Sequence, residues 1–227
     1  MKCSDSIEVK HLNPRFNAYD SNEPKGRSGH CVCADESNMY VFGGYSPSDE
    51  RNNVNKNQVL PELWKFNFAS QKWIEIETED IPTTCASSSI LAHNRMMFVF
   101  GGTSYPFGHI MSNTIKALNM NRVSAKRGCE DDEKPKKNAW YLLETNPMCY
   151  SAGGDVEDTG PPPAYGQSVI QHRDALYVFA GAIGFYSEAI SDLHKFNIHE
   201  MTWERLRPTG KVPSGRYKQE VATDTDR

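Results

Sequence analysis

Met39-Tyr40-Val41-Phe42-Gly43-Gly44, Met96-Met97-Phe98-Val99-Phe100-Gly101-Gly102 and Leu176-Tyr177-Val178-Phe179-Ala180-Gly181 are three versions of one phrase. Each is an apolar, β-rich run closed by a pair of small residues. A second segment follows in every copy: Leu63-Trp64-Lys65-Phe66-Asn67, Ile115-Lys116-Ala117-Leu118-Asn119 and Leu193-His194-Lys195-Phe196-Asn197. A lone tryptophan closes each, at Trp73, Trp140 and Trp203. Repetition at roughly 50 residues means an array of similar units that bury their apolar faces against one another.

Each unit parses into four strands. In the first, 28–33 is strand a, 39–42 strand b, 63–68 strand c and 72–77 strand d. Strands a and b are near-continuously apolar, as strands covered on both faces should be, whereas c and d alternate. The closing Gly pair permits a left-handed turn and close approach of neighbouring sheets; Ala180, in place of the first Gly, should resist that turn mildly. The reading divides the chain into 1–20, an N-terminal segment whose Ile7–Leu12 resembles a stray, ring-closing outer strand; 21–80, 81–144 and 145–210, three repeats; and 211–227, the start of a fourth. Residues 121–138 and 145–163 read as loop insertions, the first mixed-charge and nearly free of apolar residues, the second rich in Gly, Pro and Asp, too polar to offset the cost of ordering them.

These residues resemble kelch repeats, which predicts an all-β fold: a propeller of four-stranded blades. Arg27-Ser28-Gly29-His30, Gly43-Gly44-Tyr45, Gly101-Gly102-Thr103 with Pro106-Phe107-Gly108, Tyr165-Gly166-Gln167, Ser191-Asp192-Leu193-His194-Lys195 and Arg216-Tyr217 strengthen the resemblance to one group within that family. The resemblance implies a six-bladed propeller, of which this chain holds about three blades and partial ends, so that an N-terminal fragment or shortened product is expected. It also implies a substrate-recognition subunit of a cullin-2 RING ubiquitin ligase that binds C-terminal degrons, with elongin and cullin-2 engaged only where a longer form carries the C-terminal helical box. Promotion of stress-activated MAP kinase signalling through restraint of a protein phosphatase is implied in the same way, in the cytoplasm, the nucleus or both.

Among 227 residues, Lys+Arg 25 against Asp+Glu 29 leaves a net charge of -4. That gives no general attraction to nucleic acid or to anionic membrane, and no run approaches the length of a membrane span. The basic stretch Lys126, Arg127, Lys134, Lys136 and Lys137 is interrupted by four acids and reads as a solvated loop. Six cysteines (Cys3, Cys31, Cys33, Cys85, Cys129 and Cys149) have no metal-ligand spacing and read as reduced fillers. No cofactor is expected.

Because strands alternate in direction, the b–c loops (45–62, 103–112 and 182–190) and the d–a loops emerge on one face. The former carry Tyr45, Tyr105, Phe107, His109, Phe185 and Tyr186; the latter carry Arg27, Tyr165 and Arg216. Aromatic side chains beside arginines suit capture of a peptide end, so Arg27, Tyr45, Tyr105, Phe107, Tyr165, Tyr186 and Arg216 are the candidate binding residues. Arg27 has a second reading, as a tie between blades through backbone carbonyls. His30, on an inner strand, reads as a core histidine. A propeller enzyme of the copper-oxidase or sugar-mutarotase type is the alternative class, and it would need a second histidine beside Tyr105 and His109.

Overall fold

The computed structural model describes residues 23–47, 59–122, 138–144 and 160–222. The expected strand at 7–12, the basic stretch, Cys3, Cys129, Cys149 and most of both insertions lie outside them. Three four-stranded antiparallel sheets follow one another along the chain. The first holds β1 (Cys31–Ala34), β2 (Asn38–Phe42), β3 (Leu63–Asn67) and β4 (Lys72–Glu75); β5 (Thr78–Glu79) follows it. The second holds β6 (Ser89–His93), β7 (Met96–Phe100), β8 (Ile115–Asn119) and, beyond β9 (Asn138–Ala139), β10 (Tyr141–Leu142). The third holds β11 (Ser168–His172), β12 (Ala175–Ile183), β13 (Glu188–Asn197) and β14 (Thr202–Leu206). The innermost strands β1, β6 and β11 run side by side, so the sheets are neighbouring blades of an incomplete ring.

Strand alternation explains how one blade serves two neighbours. From β7, Met97 and Val99 enter the apolar layer shared with the first blade, while Phe98 and Phe100 enter the layer shared with the third. The tryptophans seal those layers. Trp140 packs on Phe42 of the preceding blade at 5.6 Å, and Trp203 packs on Phe100 at 5.6 Å. Trp140 also reaches across with its ring N–H, donating to Thr78 Oγ1 at 2.9 Å. Trp73, with no described blade before it, lies only half-buried on Phe66 of its own sheet.

The blades are also joined through backbone. The N–H of Gly44 donates to Cys85 O, that of Gly102 to Ala164 O and that of Gly181 to Arg216 O, at 2.9, 3.0 and 2.9 Å. Glycine is required at 43, where φ is +66° and a Cβ would sit 2.2 Å from Cys85 O of the next blade. Ala180 takes the same left-handed turn at φ +62°, so the mild resistance expected of it does not change the path; a register shift between Phe179 and Gly181 accompanies it.

Three local expectations need correction. The innermost strands are less covered than the second strands, because they border the central axis: β1 is half-buried and β2 mostly buried. His30 is exposed rather than part of the core for the same reason. The third b–c loop is shorter than 182–190, since β12 and β13 extend as a hairpin to Ile183 and from Glu188.

Burial sets an order of tolerance. Trp203→Ala should cost about 3–5 kcal/mol and Trp73→Ala roughly half of that. Chemical unfolding of the dilute monomer tests it, and equal losses would contradict the placement of these rings.

Candidate protein-binding face

Cys31 pairs with Phe42 and Ser28 with Tyr45, so the start of each inner strand and the end of each second strand meet at one end of the blade. The same bridge recurs as Ala86 with Thr103 and Tyr165 with Ala182. All the candidate residues therefore belong to one face. Within it the loop 103–112 is held from inside. The Thr103 hydroxyl, fully buried, donates to Ile110 O at 2.8 Å and accepts the Gly108 N–H at 3.0 Å, while Ser104 N–H donates to Ile110 O at 3.0 Å. A Cβ on Gly108 would lie 2.4 Å from Gly184 O, so the loops of the second and third blades touch. A scaffold of this kind holds side chains up without letting them collapse.

The side chains so held are aromatic and fall into two clusters on this face. Tyr45 stacks on Tyr105 at 5.8 Å, and Phe107 meets both edge-on at 5.0 and 5.7 Å. His109 meets Phe185 at 4.8 Å, and Phe185 meets Tyr186 at 5.6 Å. Tyr105 is 49% exposed and Tyr186 94% exposed, while Tyr45 is half-buried with its foot against the core. Ile110, also exposed, adds an aliphatic side chain. Sequence reasoning passed over it because an isolated isoleucine in a loop resembles many others; only the Thr103 hub lifts it outward.

Two of the candidates do not join this row. The Arg27 side chain is 3% exposed and its donors are committed, to Glu62 Oε2 at 2.9 Å, Gly43 O at 3.1 Å and Lys25 O at 2.9 Å. Glu62 is also held by Trp64 Nε1 at 2.6 Å. This is the structural tie, made within the first blade rather than between blades. Tyr165 is buried too, its hydroxyl sharing a hydrogen bond with Ser187 and its ring meeting Tyr217 at 6.2 Å. Arg216 remains exposed; its guanidinium donates only to the carbonyl and hydroxyl of Ser214 among the described groups, at 2.9 and 3.3 Å. Tyr45, Tyr105, Phe107, Tyr186 and Arg216 are thus accessible, and Arg27 and Tyr165 support them.

Thiol chemistry has little footing here. Among the described residues no three His, Cys, Asp or Glu side chains converge. His109 faces Phe185, and Tyr105 faces Tyr45 and Phe107. Burial pushes the Cys31 and Cys33 thiols up to about 12 and Cys85 to about 11, so reactive thiolate is scarce at neutral pH.

The profile of the KLHDC2/KLHL20/DRC7 Kelch-repeats domain matches residues 8–227. The chain belongs to the kelch-repeat family. Among kelch proteins it is 33% identical over 212 residues to Kelch domain-containing protein 10 of Rattus norvegicus, covering 90% of this chain and 45% of that protein. To the Kelch domain-containing protein 10 of Xenopus laevis it is 33% identical over 221 residues, covering 94% and 47%. To Kelch domain-containing protein 2 of Bos taurus it is 25% identical over 268 residues, covering 93% and 64%. The chain spans less than half the length of the Kelch domain-containing protein 10 sequences named. A kelch-repeat domain of this kind is a protein-interaction module.

The Arg27–Glu62 tie has a pH signature. Burial alone would raise the Glu62 carboxyl, but the hydrogen bonds from Trp64 and Arg27 outweigh it and hold the carboxyl below its ordinary value of 4.5. A depressed folded-state pKa contributes stability that is present above the unfolded value and is lost as pH falls through the folded one. Arg27→Met should cost about 3–5 kcal/mol at neutral pH by stranding a part-buried carboxylate, and the loss should shrink as pH falls below 4.5 and Glu62 protonates. Thermal unfolding of both forms across pH 3–7 checks this; a loss that does not vary with pH would assign Arg27 another role.

Proposed function

We propose that this chain is the recognition part of a kelch receptor that captures the C-terminal tail of a partner protein on its aromatic face. The observation that carries the reading is the fixed, solvent-facing row of Tyr105, Phe107, Phe185 and Tyr186 with Arg216 exposed on the same face. Rigid aromatic rings contribute contact area at little entropy cost, and an arginine grips a terminal carboxylate through two parallel hydrogen bonds. With Arg27 committed to Glu62, the carboxylate falls to Arg216. The group resemblance extends this to a substrate-recognition subunit of a cullin-2 RING ubiquitin ligase that reads C-terminal degrons. It extends it also to stress-activated MAP kinase signalling with a phosphatase as partner, in the cytoplasm, the nucleus or both. Recruitment of elongin and cullin-2 would rest on a longer form that carries the C-terminal helical box. No enzymatic activity is part of the reading.

The decisive experiment titrates one partner tail as free acid and as C-terminal amide. A desolvated arginine–carboxylate contact commonly contributes about 2–5 kcal/mol, so amidation should weaken binding about 30-fold or more. Arg216→Ala should reproduce that loss and abolish the difference between the two peptides, while Tyr186→Ala should weaken both and leave thermal stability unchanged. Equal affinity for acid and amide would replace tail capture with recognition of an internal motif.

A further inference from the structure

The β12–β13 hairpin of the third blade runs over nine and ten residues, against five in each of β2, β3, β7 and β8. Its ladder ends where Ile183 pairs with Glu188, and Gly184 to Ser187 form the tip. Gly184 and Ser187 are both left-handed, at φ +66° and +57°, and Ser187 N–H closes the turn on Gly184 O at 3.2 Å. Phe185 and Tyr186 stand on this tip 59% and 94% exposed. A tip that carries two bare rings has little buried contact of its own, so ties from outside must hold it. Two such ties are present. Gly108 of the neighbouring loop lies so close to Gly184 O and Phe185 Cα that a Cβ has no room. From below, the Tyr165 hydroxyl shares a hydrogen bond with the Ser187 hydroxyl.

Tyr165 is itself firmly rooted. Its peptide exchanges hydrogen bonds with Ala182 in both directions, at 3.1 and 2.9 Å, and the residue is 5% exposed. Its ring meets Tyr217, and the next residue, Gly166, donates its N–H to Ser87 O of the second blade at 2.7 Å. The bridges Ser28–Tyr45, Ala86–Thr103 and Tyr165–Ala182 mark equivalent positions in the three blades. Ser28 and Ala86 have side chains too short to reach a hairpin tip. The long hairpin and the long side chain thus occur together, in one blade. We propose that Tyr165 is a positioning residue of the recognition face, whose hydroxyl holds the tip so that Phe185 and Tyr186 stay upright beside His109. This rests on the reading that a partner tail binds here, and it adds the buried group that sets the site. The ring and the hydroxyl of Tyr165 divide two tasks. Without the hydroxyl, the ring keeps its contact with Tyr217 and the fold persists. The tip must then be ordered by each partner that binds, which weakens association.

Tyr165→Phe and Ser187→Gly each remove one end of the tie. Glycine suits the left-handed turn at 187, so a loss there does not come from backbone strain. Two measurements on the full chain separate this proposal from tail capture itself. In the free protein, the imidazole proton resonances of His109, whose ring lies 4.8 Å from that of Phe185, should shift in both variants. The Tyr186 amide should exchange faster, with the thermal midpoint unchanged. Binding is read on an array of synthetic random-sequence peptides with free carboxyl ends. Peptides held by the native chain should bind each variant about tenfold more weakly, and the double variant no more weakly than either. The ratio of acid to amide affinity should keep its native value, because Arg216 is untouched. Unmoved His109 resonances, unchanged affinity, or losses that add in the double variant would each overturn the proposal. If Tyr165→Phe unfolds, Ser187→Gly decides alone. An array on which the native chain holds nothing would remove tail capture, and the His109 resonances would then decide whether the hydroxyl sets the tip.

Discussion

One run of main-chain hydrogen bonds near the axis sets the position of everything else. Gly29, Ser87, Gly166 and Lys218 all take left-handed backbone, at φ +62°, +52°, +67° and +57°. Each presents its peptide to the next: Ser87 N–H to Gly29 O at 2.7 Å, Gly166 N–H to Ser87 O at 2.7 Å, and Lys218 N–H to Gly166 O at 2.8 Å. Left-handed backbone at Ser87 and Lys218 costs of order 1 kcal/mol each, and persists because the interblade hydrogen bonds and blade packing over-determine it. Side-chain layers could slide by a residue; a string of main-chain hydrogen bonds of nearly one length cannot. The register of each blade on its neighbour, and so the pairing of Phe42 with Trp140 and of Phe100 with Trp203, follows from this string.

The same string explains why the binding face is at this end. The left-handed residues precede the inner strands, opposite the ends of the second strands, so the hairpins that rise beyond them are anchored most tightly here. Tyr105 and Phe107 stand on a loop closed by the Thr103 hydroxyl, and Phe185 and Tyr186 on the tip of an extended hairpin. The rings consequently reach solvent on fixed supports. A partner tail binding there would meet surface already arranged, which lowers the ordering cost of association.

Much of this was legible in the sequence because repetition tests each local reading three times over. The four-strand blades, the apolar second strands and the interblade tryptophans could be read from Phe42, Phe100, Trp140 and Trp203 without coordinates. Other features have no local signature. The outer strand of the second blade divides around Trp140, and its first half, β9, pairs in parallel with β5 of the first blade. No periodicity announces a two-residue parallel pair. Arg27 was ambiguous for a different reason: an arginine beside a turn can face a ligand or a carboxylate of its own sheet, and only the approach of Glu62, 35 positions along the chain, decides it. Tyr165 turned inward because Ser187, on a distant hairpin tip, lay within reach of its hydroxyl.

Amide hydrogen exchange of the Ser87 and Gly166 N–H groups tests the role of the axial string most directly. If those bonds fix the blades, both protons should exchange only on global unfolding, as slowly as the amides of the central strand β7. Exchange as fast as that of exposed loop amides, with β7 still protected, would mean that apolar layers alone align the blades and that the left-handed junctions follow from packing rather than direct it.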